Sequence, residues 1–150
     1  MELVVDANIL FSALIKSGIT REFMIDDDII LYAPEYILEE FFEHFNELKN
    51  KTHTDSFKLQ NTAQKLISLS KLQIIPLSEI NLFIKKAKEI SPDPQDALYF
   101  ATALKMNCGI WSNDKKMKNQ LAVKVYTTAD LLKIFNNQIV FYKTTHERER

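Results

Sequence analysis

Apolar positions along this chain switch repeatedly between a short continuous run and a helical period. Leu3, Val4 and Val5 form an uninterrupted apolar run that stops at Asp6, as expected of a strand buried on both faces. Residues 7–15 follow at helical spacing, so the chain turns just beyond the acid. The span 9–25 predicts one or two short helices broken near Ser17 and Gly18, with Thr20 as cap of the second. Asp26, Asp27 and Asp28 read as a solvated turn, and 29–33 as a second strand ended by Pro34.

Residues 34–49 give the clearest helix. Pro34 suits a first turn and Glu35 the positive end of the dipole. Ile37, Leu38, Phe41, Phe42, Phe45 and Leu48 share one broad face. Glu40, His44 and Glu47 border that face on one side, Glu39 and Asn46 on the other, and His44 reads as an exposed histidine. After a polar turn over 49–55, the pattern predicts a helix over 56–70, a strand over 72–77 and a helix from a Ser78 cap to about 90. A break at 91–96 precedes a mostly apolar helix over 96–106. A strand over 108–111, a short basic helix over 115–121, a strand over 123–126 and a helix over 128–135 complete the alternation. No internal repeat or interdomain linker is present. The reading is a single domain over 1–150 with its core at about 2–135 and a tail mobile from His146 onward.

Alternating strands and helices indicate a parallel sheet covered by helices on both sides, a three-layer α/β/α arrangement of five strands. Right-handed crossovers place every strand's carboxyl end on one edge, where open sheets bind ligands. Asp6 and Asp114 therefore meet if their strands are neighbours.

At 150 residues, with 46% apolar and 26% charged positions, the chain fits one soluble domain with a sizeable core. Its two glycines, Gly18 and Gly109, exclude a Gly-rich phosphate loop or dinucleotide fingerprint. Cys108 cannot form an internal disulfide and reads as a core thiol. No apolar stretch approaches the roughly 20 residues that span a bilayer, and the amino terminus lacks a signal pattern; a cytoplasmic protein with no membrane role is expected. The net charge of −1 does not advertise nucleic-acid binding. A cation neutralising several carboxylates would leave the rest of the surface net positive.

Acids close several elements. Asp6 and Asp114 each follow an apolar strand, and either also suits the cap of the next helix, as does Asn8. Asp93, Pro94 and Asp96 make a serviceable helix start in their own right. Capping alone explains poorly why three such ends carry acids while Glu40 stands inside a helix. Carboxylates gathered together raise one another's pKa and stay charged at neutral pH when a divalent cation compensates them. Oxygen donors without cysteine or paired histidine suit Mg²⁺ or Mn²⁺ better than zinc, and such ions serve phosphodiester hydrolysis.

Four segments in order, Val4-Val5-Asp6-Ala7-Asn8-Ile9-Leu10, Leu38-Glu39-Glu40-Phe41, Asp96-Ala97-Leu98-Tyr99-Phe100-Ala101-Thr102-Ala103 and Ile110-Trp111-Ser112-Asn113-Asp114-Lys115, resemble the successive motifs of the PIN domain. The resemblance covers about 2–135. It implies an α/β/α fold with a five-stranded parallel sheet and a metal-dependent ribonuclease acting on RNA. The family's small VapC-type members are toxins paired with an antitoxin and commonly form homodimers. By position, the resemblance makes Asp6, Glu40, Asp96 and Asp114 the acidic quartet, with Asn8 and Ser112 orienting it and Asp93 as an extra acid. Glu40 is preferred to Glu39 because the family's acid sits two residues after an aliphatic one. Lys116 stands where a further acid often follows the fourth motif, which weakens a second metal site.

In this reading Asp6, Asp96 and Asp114 hold Mg²⁺ or Mn²⁺, directly or through waters, and Glu40 completes the site or orients the attacking water. Lys115, Lys116 and Lys118 either contact flanking phosphates or form a solvated helix face. A haloacid-dehalogenase-type phosphatase needs an acid where Asn8 stands, and a phosphate-accepting receiver expects paired acids there. The alternative of another class is a non-catalytic PIN-like module binding RNA or protein.

Overall fold

Strand β1 (Glu2–Val5) forms the middle of a five-stranded, all-parallel sheet in this computed structural model, which describes residues 1–16, 18–53 and 55–148. The side chains of Phe42, Leu48, Lys51 and Thr52, and those from 139 onward, lie outside that description; of the tail expected to move from His146, residues 149 and 150 lie outside it, while the backbone of 146–148 is helical. The chain continues through α1 (Ala7–Ile15), α2 (Ile19–Met24), β2 (Ile30–Pro34), α3 (Tyr36–Thr52), α4 (Ser56–Ser70), β3 (Gln73–Ile75) and α5 (Leu77–Ile90). A 3-10 turn (Pro94–Asp96), α6 (Ala97–Met106), β4 (Gly109–Trp111), a second 3-10 turn (Lys115–Lys118), β5 (Val125–Tyr126) and α7 (Thr128–Arg148) follow.

The strand order is β3-β2-β1-β4-β5. The chain moves outward from β1 to β3, then crosses back to β4 and β5. Right-handed crossovers put α1 to α4 on one face and α5 and α6 on the other, and β1 and β4 flank the point of reversal. Leu3, Val4 and Val5 are all fully buried, and successive strand side chains face opposite sides, so both faces are covered. Trp111 is also fully buried; Phe23 meets it edge-on at 6.2 Å and Phe135 at 5.4 Å tilts against Phe23. The Trp111 indole donates to Thr128 Oγ1 at 3.0 Å, tying β4 to the start of α7. Among the described residues, no helix is long and apolar enough to cross a membrane.

Element boundaries differ from the sequence expectation where a distant partner intervenes. Helix α5 starts at Leu77, not at a Ser78 cap, because the Glu35 carboxylate accepts the Leu77 N–H at 2.8 Å from across the sheet edge. Pro34 ends β2 and does not enter α3. Gly18, not Thr20, caps α2, while Ser17 lies outside the described residues. The basic helix expected over 115–121 is a single 3-10 turn, beyond which the Gln120 side chain bonds the Met117 and Val123 backbones. Helix α7 runs well past the expected end at 135. On α3, Ile37 and Phe41 are buried and Phe45 packs against the core, Leu38 is 42% exposed, and the side chains of Phe42 and Leu48 are not described.

Candidate active site

The two strands that flank the reversal end side by side. Val5 pairs with Trp111, and the Asp6 backbone N–H donates to the Trp111 carbonyl at 3.3 Å. Asp6 therefore begins the turn into α1 beside the loop that carries Ser112 and Asp114. Its carboxylate caps α1 by accepting the Ile9 N–H at 2.9 Å, and its other oxygen accepts the hydroxyl of fully buried Ser112. The Ser112 oxygen in turn accepts the Asp114 N–H at 3.0 Å. Ser112 thus locks both acids to one edge.

Capping and clustering turn out to be compatible roles. Asp114 accepts the Lys116 N–H at 2.9 Å, opening the 3-10 turn, and Asp93 does the same for Gln95 at 2.9 Å. Asp96 closes that turn at the head of α6. Glu40 projects from the second turn of α3 and is half-buried, whereas Glu39 is exposed. The hydroxyl of Tyr99 donates to Glu40 Oε2 at 3.1 Å.

The charges of these acids act on one another. Burial is the main force pushing the Asp6 carboxyl above its ordinary range; the Ser112 hydroxyl and the Ile9 N–H oppose it, and Asp114 adds to it. Burial also raises Glu40, against the Tyr99 hydrogen bond, with Asp6 contributing. Asp96 is pushed up to about 6, first by burial and then by Asp93, Asp114, Asp6 and Glu40. The four acids expected from the sequence share one electrostatic neighbourhood. No lysine or arginine pairs with any of the four in an ion pair among the described residues.

The donor chemistry suits a hard divalent cation: carboxylate oxygens, mutually destabilised and without a neutralising partner. Among the described residues, however, no three His, Cys, Asp or Glu side chains are arranged to hold one ion together. Mg²⁺ is commonly held by one or two carboxylates with waters completing its shell, and the residues fit that looser arrangement.

Other expected residues divide. Asn8 is exposed and reaches Asp6 through its backbone N–H. Asp93 is exposed and acts on Asp96 by charge. Lys115 and Lys116 are exposed next to Asp114. Lys118 is engaged elsewhere, bonded to Asp130 at 2.6 Å at the start of α7; that contact holds the Asp130 carboxyl down at about 2. His44 is exposed beside Glu47 at 3.3 Å. Tyr99 is the residue that sequence reasoning passed over. It is 2% exposed, and a buried tyrosine needs a partner for its hydroxyl; its place three residues after Asp96 was the available signal.

A family model described as PIN domain matches residues 4–139. Three solved structures share the fold. VapBC2 from Rickettsia felis, bound to a DNA fragment from its promoter, matches with a TM-score of 0.65 and 16% identity over 85% of this chain and 98% of that one. PAE2754 from Pyrobaculum aerophilum matches with a TM-score of 0.62 and 14% identity over 91% and 90%. A toxin–antitoxin complex from Klebsiella pneumoniae matches with a TM-score of 0.57 and 18% identity over 84% and 97%. Among curated proteins, none matches the chain by sequence.

Proposed function

The chain belongs to the PIN domain family, and on that premise we propose that it is a divalent-metal-dependent endoribonuclease, the toxin of a toxin–antitoxin pair. The observation that carries this reading is the electrostatic coupling of Asp6, Glu40, Asp96 and Asp114 at the carboxyl edge of β1 and β4. Such a cluster repels a phosphodiester unless a cation joins it. Asp6, Asp96 and Asp114 would hold Mg²⁺ or Mn²⁺, partly through waters. The bound ion supplies charge neutralisation and a more acidic water.

This chain's residues do the rest. Ser112 and the Ile9 N–H fix the orientation of Asp6. Tyr99 holds Glu40, whose carboxyl is raised by burial, in place to complete the site or orient the attacking water. Lys115 and Lys116 meet the phosphates on either side of the cut and make binding salt-dependent. The toxin assignment and the antitoxin partner draw support from the fold shared with VapBC2 and with the Klebsiella pneumoniae toxin–antitoxin complex.

A second reading, a non-catalytic PIN-like module that binds RNA or protein, is favoured by the lack of three side chains poised around one ion among the described residues. One experiment separates the two. A panel of structured and single-stranded RNAs and DNAs is incubated with Mn²⁺, with Mg²⁺ or with chelator, using the parent, Asp6→Asn and Asp96→Asn. Metal-dependent RNA cutting that both folded variants lose supports the ribonuclease. Cutting that survives in both assigns it to another site or a contaminant, and RNA bound but left uncut supports the module.

A further inference from the structure

Beside the carboxylates, the same edge of the sheet carries a pocket of about 230 Å³. The end of β2 and the first turns of α3, α5 and α6 form it, through Pro34, Tyr36, Leu77 and Leu98, with Glu35 and Glu39 among its lining residues. We propose that this pocket receives the nucleobase adjoining the scissile phosphate, with Tyr36 as its stacking surface and a base bearing an exocyclic amine as its preferred occupant. The proposal rests on the ribonuclease reading for the identity of the polymer.

Position is the first argument. Tyr36 precedes Glu40 by one helical turn on α3, and Leu98 stands two residues after Asp96 on α6. The charges of Glu40, Glu43, Glu39 and Asp96 all act on the Tyr36 hydroxyl. Tyr36 therefore lines the pocket within the field of two acids of the cluster, Glu40 and Asp96. A phosphate held at the cluster has its neighbouring nucleotide within reach of that ring.

Chemistry selects the occupant. At about 230 Å³ the space falls below the roughly 300–1,000 Å³ of pockets that enclose drug-sized ligands, and it suits one flat ring system. Its walls are mostly apolar, and the lining residues that carry charge at neutral pH are carboxylates. One Glu35 oxygen is occupied by the Leu77 N–H, while Glu39 is exposed and in no ion pair among the described residues. Carboxylates repel a phosphate but accept N–H groups, as an acidic side chain does from the cytosine amine. A planar, uncharged group with amine donors meets all three conditions. Adenine, cytosine and guanine qualify, whereas uracil lacks the exocyclic amine.

The test uses a short RNA that the parent cuts at one mapped position, remade with an abasic site, uridine or cytidine at each flanking nucleotide. The parent is expected to lose about tenfold or more in kcat/KM when one particular flanking base is removed, within the range of a lost stacking contact. Tyr36→Ala should cut the intact RNA as poorly as the parent cuts the abasic one, and lose no more on the abasic RNA. Tyr36→Phe should keep the base dependence, and Glu39→Gln should narrow the gap between cytidine and uridine without moving the melting temperature. Base-independent cutting by the parent overturns the proposal, as do Tyr36→Ala and abasic losses that simply multiply. Normal cutting by Tyr36→Ala with a changed oligomeric state overturns it in favour of a protein contact. If the parent cuts no RNA, a short single-stranded RNA and its abasic forms are titrated with Mg²⁺ present by fluorescence anisotropy. Abasic-sensitive binding that needs Tyr36 then upholds the pocket while the ribonuclease reading fails, and binding that ignores the base, or none at all, overturns the pocket too.

Discussion

Tyr99 on α6 and Glu40 on α3, 59 residues apart in sequence, are joined by a hydroxyl–carboxylate hydrogen bond of 3.1 Å. Tyr99→Phe keeps the ring and removes the donor, leaving a half-buried carboxylate short of a partner. A loss of about 1–2 kcal/mol is expected from equilibrium urea unfolding. The Glu40 carboxyl should titrate at higher pH in the variant, which carbon-detected NMR of the side chain would follow. An unchanged titration would show that the bond does not hold Glu40.

The acidic cluster predicts a pH dependence of stability with a definite sign. Asp96 keeps its proton in the folded protein up to about 6, while its ordinary value is 3.8. The folded state binds the extra proton, so this contribution is fully present below about 4 and fades as pH rises through 6. Asp96→Asn lacks it. The variant should match the parent near pH 4 and melt higher above pH 6, by about 2–4 °C for roughly 1 kcal/mol once solvent screening of a half-exposed group is counted. Melting curves from pH 4 to 8 check this, and a variant less stable at pH 7 would contradict it.

Cation binding should raise stability by mass action. Millimolar Mg²⁺ or Mn²⁺ is expected to raise the parent's melting temperature, and excess EDTA to reverse the shift. Asp6→Asn and Asp114→Asn should blunt the response. An equal shift in those variants would locate the ion elsewhere on the surface.

Gly109 opens β4 against the β5 strand. A Cβ there would stand 2.8 Å from the Tyr126 ring and 2.9 Å from the Lys124 carbonyl, the same carbonyl that accepts the Ile110 N–H at 2.9 Å. Gly109→Ala should cost about 1–3 kcal/mol through displaced backbone, measured by urea unfolding. Tyr126→Ala in the same background relieves one of the two clashes and should return part of that loss.

Local chemistry made much of this legible. An apolar run that stops at an acid marks Asp6, and one followed three residues later by an acid marks Asp114, because a buried strand and its exit leave few alternatives. The sheet's direction of winding followed from the alternation of elements. What escaped was set by partners far along the chain. Glu35 capping α5 at Leu77 is invisible locally, where Ser78 offers the stronger local signal. Lys118 reads as one of three free cations until Asp130 folds against it. Tyr99 hides in a mostly apolar helix among core residues such as Phe100, Ala101 and Ala103.

The central place of β1 has a consequence for a chain emerging from a ribosome. Its first strand is synthesised at once, and β2 can soon cover one of its edges. The other edge waits for β4, about 105 residues later, which at roughly 5–20 residues per second is about 5–20 seconds of translation. Ser112 and Asp114 arrive with that last neighbour. Whatever chemistry the acidic edge performs is withheld from the nascent chain and its surrounding message until nearly the whole domain has been made.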